Sequence, residues 1–138
     1  LVKMFSNVAK NLDMKHVMIV HGDDGLDEIS ICSETVDSEL KDNKISEYKI
    51  SPKDYGLKVS SFDQIAANSS DESLLLVKSA FNGESSAVQD MIALNSGAAL
   101  YIANVVDSIS DGIEMAFDCM NNGQAAQKLS DYVRVSNE

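Results

Sequence analysis

A chain of 138 residues, 44% of them apolar, is long enough for one domain with a real core and too apolar for a disordered tail. Its formal charge of −11, from 22 acidic residues against 11 basic ones, makes nucleic acid and acidic membranes unsuitable partners, because both demand a basic face. No apolar run approaches the ~20 residues of a membrane-spanning helix. Arg134 is the only arginine, which excludes a phosphate clamp of several arginines within this segment.

The first element is helical. Leu1, Met4, Phe5, Val8, Ala9 and Leu12 recur at steps of three and four and predict an amphipathic helix already under way at residue 1. On that reading the chain is a piece of something longer. Val17, Met18, Ile19 and Val20 then form an unbroken apolar run, as expected of a strand covered on both faces. Helix, short link and buried strand together indicate a layered α/β fold, in which ligands gather at the carboxyl ends of strands. Residues 35–40 and 45–50 predict a hairpin around the polar turn 41–44, with imperfect apolar alternation in each arm. Ser51 caps a helical turn with Pro52 in its first position, and Gly56 ends it.

From residue 68 the pattern is helical. One helix starts at Ser70 or Asp71 and carries Leu74, Leu75, Val77, Lys78 and Phe81 to a stop at Asn82 and Gly83. Ser85 or Ser86 caps a longer one, whose stripe is Val88, Met91, Ile92, Asn95, Ala98, Ala99, Ile102, Val105 and Val106. Its small centre, residues 96–99, allows a neighbouring element to approach closely. Asp107 or Ser108 precedes a helix over 110–122, ended by Gly123, and a last helix spans about 124–133.

The chemistry concentrates after the first strand. Asp23, Asp24, Asp27 and Glu28 crowd into six residues, and such a cluster is costly unless water, a cation or backbone donors compensate it. By spacing alone, solvation is the commoner fate of an acidic loop, and Asp23 and Asp24 read as a polar turn around Gly22 and Gly25. Lys53 and Asp54 read as a solvated helical start, Tyr101 as packing, and His21 as a structural hydrogen-bonding residue. Asn95, on an apolar stripe, calls for a hydrogen bond to another element. Cys32 and Cys119 have no ligand spacing, so a zinc site is not indicated and a reducing cytoplasm is the simpler setting.

In series, VMIVHGDDGLDEIS, the hairpin, ISPKDYGL, FNGE and LNSGAALYIANV resemble the C-terminal half of the anthranilate phosphoribosyltransferase family, over nearly the whole chain. The resemblance implies an α/β fold: a central sheet with flanking helices, an incomplete part of the larger domain of a two-domain enzyme. Residues 1–138 would be the C-terminal part of that domain. The helical domain, the glycine-rich GTGGD loop for phosphoribosyl pyrophosphate (PRPP) and the acceptor contacts would lie outside it. It implies transfer of phosphoribosyl from PRPP to anthranilate in tryptophan biosynthesis, with Mg2+ as cofactor, in a cytoplasmic enzyme that is a homodimer when full length. Carried residue by residue, the family's Mg2+ ligands fall on Asp27 and Glu28, and no catalytic residue is assigned. Alone, the segment is expected to be inactive. Ile31, Cys32, Ser33 and Glu34 depart from the proline and glycine common in the family after the DEIS core. Alternative readings are a pyrimidine nucleoside phosphorylase or other transferase of the same fold, a phosphoacceptor receiver, and a non-catalytic Mg2+-binding or assembly domain.

Overall fold

The computed structural model describes residues 1–84 and 86–138, with Ser86 by its backbone alone. The expected serine cap of the long helix therefore lies outside the described residues. The element order is α1 (Val2–Asn11), β1 (His16–Gly22), β2 (Thr35–Lys41), β3 (Lys44–Ile50), two short 3-10 turns (Pro52–Tyr55 and Phe62–Gln64), α2 (Ser70–Phe81), α3 (Ser86–Ile102), α4 (Ile109–Asn121) and α5 (Gln124–Ser136). The three strands form one antiparallel sheet in the order β1-β2-β3.

The hairpin turn consists of Asp42 and Asn43, with φ of 49° and 62°. Two consecutive left-handed residues twist the chain in the sense that antiparallel strands need, and Asp and Asn tolerate that region best. The register pairs Lys41 with Lys44 and Thr35 with Ile50. Ser51 donates its N–H to the Asp54 carboxylate at 3.0 Å, so Asp54 closes the turn at Pro52–Tyr55 instead of only facing water. Ser69, one residue before the expected start, caps α2 by accepting from the Glu72 N–H at 3.1 Å. Ser108 does the same for α4 with Asp111.

Helices cover both sides of the sheet. The core lies between the sheet and the α3–α4 pair, built on Ile29, Ile31, Ile50, Leu94, Ala98, Ile113 and Met120. Gly97 on α3 and Gly112 on α4 meet backbone to backbone: a Cβ added at Gly112 would lie 2.5 Å from the Gly97 carbonyl oxygen. The small centre of the long helix is therefore a crossing point, as its composition suggests.

Several expectations need correction. The bulky stripe of α1 faces outward: Leu1, Met4, Phe5, Val8 and Leu12 are all exposed, whereas Ser6 and Ala9 are buried. Small residues let α1 lie close on the sheet, where the Ser6 hydroxyl bonds Ser38 Oγ at 2.7 Å. β1 lies at the edge of the three-stranded sheet and is only half-buried, although α1 packs on one of its faces and the α3 side of the core on the other, where Met18 and Val20 lie. The stripe of α3 stops at Ile102; Ala99 and Val105 are exposed, and the most buried residues, Ala93 and Leu94, lie outside the expected stripe. A helix pressed by the sheet on one side and α4 on another has a broad apolar face, which no single stripe describes. α5 runs to Ser136, beyond the expected end, and buries no residue fully.

Candidate functional site

The acidic loop, residues 23–34, leaves the carboxyl end of β1 and returns into β2. It makes no regular structure, yet it is tied down on both flanks. Gly22 donates to the Leu26 carbonyl at 2.8 Å and Gly25, at φ 95°, donates back to Gly22 at 2.9 Å. On the far flank, Ile29 and Ile31 are buried in the core and act as apolar anchors.

Asp24 and Ser30 staple the two flanks together. The Ser30 hydroxyl donates to Asp24 Oδ2 at 2.5 Å and accepts from the backbone N–H of Cys32 at 2.9 Å. Asp24 Oδ1 accepts from Leu26 N–H, and Thr35 Oγ1 accepts from Ser30 N–H. Burial alone would raise the Asp24 carboxyl, but hydrogen bonds from Ser30, Leu26 and Ser33 outweigh it and hold the group below its ordinary range. Asp24 is therefore a loop organiser, and Ser30 is the residue it depends on. Ser30→Ala should cost about 2 kcal/mol, since it strands backbone donors in a buried place. Chemical denaturation of variant and parent measures that loss.

Asp23 plays a different part. Lys49 on β3 reaches both Asp23 at 2.9 Å and Glu34 at 2.8 Å across the base of the loop. Those contacts raise the Lys49 ammonium above its usual range, Glu34 contributing first. The exposed ammonium is thus shared between these two carboxylates.

Asp27 and Glu28 remain, both exposed at the loop's crest. Glu28 sits at the mouth of an apolar hollow of about 230 Å³ that Ile65, Val88, Met91, Ile92 and Asn95 also line. Burial lifts the Glu28 carboxyl above its ordinary range, and the neighbouring Asp27 carboxyl lifts it further. Two adjacent carboxylates that resist joint ionisation, with oxygen as their only donors, suit a hard divalent cation that keeps several waters. Among the described residues no group of three or more His, Cys, Asp or Glu side chains converges on a metal position. The donor set fits a magnesium-type ion held by one or two carboxylates, and it does not fit a cage.

Asn95 on α3 reaches this loop. Its Oδ1 accepts from the Ile29 N–H at 2.9 Å and its Nδ2 donates to the Ile29 carbonyl at 2.8 Å. The inter-element bond expected of Asn95 is present, and it falls on the residue next to Glu28. His21 is instead exposed, beside Leu1 and Phe5, and its ring makes no hydrogen bond among the described residues. It is not the structural anchor its position suggested.

That anchor is His16, at the opposite end of β1. Glu39 accepts from His16 Nε2 at 2.7 Å, from the Tyr48 hydroxyl at 2.8 Å and from the Tyr101 hydroxyl at 2.9 Å. Lys41 Nζ donates to the Tyr101 hydroxyl at 3.0 Å. Burial pushes Glu39 upward, but the three donors outweigh it and hold the carboxyl below its usual value. Tyr101 is thus a hydrogen-bonding member of a buried network as well as packing. Sequence reasoning missed Glu39 and His16; the signal available was the broken alternation of β2, where Asp37 and Glu39 occupy the core-facing register opposite Val20 and Met18. Cys32 and Cys119 are free thiols.

With the loop and its supports in place, comparison with known proteins is informative. Residues 1–126 match the family described as "Glycosyl transferase family, a/b domain". An anthranilate phosphoribosyltransferase of Vesicomyosocius okutanii is 43% identical over 136 residues, which cover 99% of this chain and 40% of that protein. That of Ruthia magnifica is 43% identical, covering 100% and 41%. The crystal structure of anthranilate phosphoribosyltransferase from Thermus thermophilus superposes with a TM-score of 0.85 at 25% identity, over 96% of this chain and 39% of that one. The Saccharomyces cerevisiae enzyme in complex with PRPP and Mg shares the fold, with a TM-score of 0.84 at 19% identity. The chain thus spans about 40% of the length of the relatives it matches. A match that runs from α1 into α5 and includes the acidic loop places this chain in that glycosyl transferase family, within its α/β domain.

Proposed function

We propose that this chain is the C-terminal part of the α/β domain of an enzyme that transfers phosphoribosyl from PRPP to anthranilate, releasing pyrophosphate, in tryptophan biosynthesis. The observation that carries this is the pairing of near-complete coverage by relatives of that name with an exposed, mutually repelling carboxylate pair at the end of β1. Asp27 and Glu28 would hold Mg2+ there. Bound at that place, the ion supplies charge neutralisation for a departing pyrophosphate. The chain's own residues do the rest of the local work: Asp24 and Ser30 keep the loop folded, and Ile29 and Ile31 fix it to the core.

The charge distribution supports a shared site. Lys49 is taken by Asp23 and Glu34, and Arg134 lies exposed on α5 in contact with Glu138. Both cations are thus already paired with carboxylates of this chain. On the proposed reading, further positive charge and phosphate-binding backbone would come from polypeptide outside these residues, such as a helical domain and a glycine-rich PRPP loop. On this reading the segment has no turnover alone, and the complete protein is a cytoplasmic homodimer.

Loss of anthranilate fluorescence during turnover tests the assignment. In the full-length protein, Asp27→Asn with Glu28→Gln should reduce kcat/KM by about a hundredfold or more, as expected when a charge-stabilising group leaves the site. Unchanged Mg2+-dependent turnover in that variant refutes the metal assignment. Turnover by residues 1–138 alone refutes the shared site.

A further inference from the structure

Asn95 on α3 grips both backbone polar groups of Ile29, the residue that follows Glu28. We propose that Asn95 is a positioning residue for the carboxylate pair: by holding both polar groups of Ile29, it fixes the peptide that follows Glu28 and so sets where Asp27 and Glu28 present their oxygens. The proposal rests on the metal reading of that pair.

The geometry is specific. The Asn95 amide is fully engaged, with Oδ1 on the Ile29 N–H at 2.9 Å and Nδ2 on both the Ile29 carbonyl at 2.8 Å and the Met91 carbonyl at 3.0 Å. Two carbonyl partners for Nδ2 and one N–H partner for Oδ1 leave a single sensible orientation of the amide. The Met91 bond is within the helix and orients the side chain; the two Ile29 bonds cross 66 residues of sequence. Among the described residues, no other side chain from another element bonds the backbone of residues 27–29. Ile29 itself is 2% exposed, so the clamped residue is also locked by packing.

The crest of the loop needs such a constraint. Asp27 and Glu28 are exposed and lie outside any helix or strand, so no ladder or helical turn fixes them. The bidentate grip one residue away supplies a fixed point, and it comes from α3, which meets α4 backbone to backbone at Gly97 and Gly112. Partners that orient metal-holding groups typically change metal affinity 10–100-fold when removed.

The test uses the full-length protein and Mn2+ alone as a paramagnetic stand-in for Mg2+, with free Mn2+ followed by EPR. Asn95→Ala should weaken Mn2+ binding by about tenfold or more. In a background carrying Asp27→Asn and Glu28→Gln it should have no further effect, because nothing is left to position. Unchanged affinity in Asn95→Ala, while the paired amide substitutions abolish binding, overturns the role of Asn95 and leaves the metal reading standing. Equal weakening in both backgrounds also overturns it, since the effect then bypasses the pair. If the paired substitutions leave Mn2+ affinity untouched, the metal reading fails and this proposal with it. Should Asn95→Ala not fold, Asn95→Ser, whose hydroxyl can still bond the Met91 carbonyl within the helix, removes the clamp with the same outcomes.

Discussion

Gly112→Ala should destabilise the protein by about 3 kcal/mol or more, even though alanine is the better helix former. Propensity alone favours the substitution by about 1 kcal/mol. Contact decides the other way. The added methyl would sit 2.5 Å from the Gly97 carbonyl oxygen and 2.8 Å from the Gly97 Cα. Both are backbone atoms of α3, so no side chain can rotate aside. Relief requires α3 and α4 to separate, which opens the layer that buries Leu94, Ala98, Ile113 and Ala116. Overpacking a well-filled interior commonly costs about 1–3 kcal/mol, and a backbone clash belongs at or above the top of that range. Gly97→Ala meets Ile113 N at 2.7 Å and should behave alike. Combining the two should cost less than their sum, because one separation relieves both clashes. Denaturant unfolding of the single and double variants measures all three. A stabilised Gly112→Ala would mean that the helices do not cross in contact. The same movement would carry Asn95, two residues from Gly97, away from Ile29.

How much of this was legible beforehand follows from which forces are local. The hairpin, the turn at Pro52–Tyr55 and the stop of α2 at Gly83 rest on turn and cap chemistry written within a few residues, and they appear where that chemistry put them. The close approach at the centre of α3 was also readable, since small residues in a helix have few other uses. The facing of α1 was not. Periodicity shows that Met4, Phe5, Val8, Ala9 and Leu12 share a side, but not which part of the helix meets the sheet: of that stripe only Ala9 is buried, together with Ser6 from outside it. The loop divided similarly. Its acidic crest is visible as a run of letters, and resemblance singled out Asp27 and Glu28. The separate duties of Asp23 and Asp24 depend on Lys49, Ser30 and Thr35, whose convergence only folding decides. Ser30 carries no signal that tells a loop staple from an ordinary polar residue. Asn95 did carry one, because a polar amide on an apolar stripe must find a partner.

Asp37 offers the clearest electrostatic test, because it lies where a carboxylate is least expected. It occupies the central strand, on the face that packs toward α3, paired in register with Val20 and Tyr48. It is 0% exposed, and neither carboxyl oxygen has a hydrogen-bond partner among the described residues. The Tyr48 hydroxyl has a single proton, and that proton goes to Glu39 at 2.8 Å. Burial therefore raises the Asp37 carboxyl from 3.8 to about 6; the nearby Tyr48 opposes the shift in part, and the charge on Glu39 adds to it. Between those two values the folded state holds a proton that the unfolded chain has released. Stability from this group accordingly falls as pH rises through the window, and the full loss is present above about pH 6. The shift corresponds to about 3 kcal/mol at neutral pH. Asp37→Val should recover most of it, because an apolar side chain of similar size suits the Val20 and Tyr48 neighbourhood and leaves no charge to desolvate. The gain should be near its maximum at about pH 7.5 and shrink toward about pH 4, where the parent's Asp37 is protonated as well. Comparing variant and parent at each pH removes the opposite trend of Asp24 and Glu39, whose depressed values cost stability only at lower pH. Unfolding free energies of the full-length protein and its Asp37→Val variant across about pH 4 to 8 check the sign. A gain independent of pH would mean that Asp37 stays neutral throughout, and a loss would mean that its carboxylate has a partner.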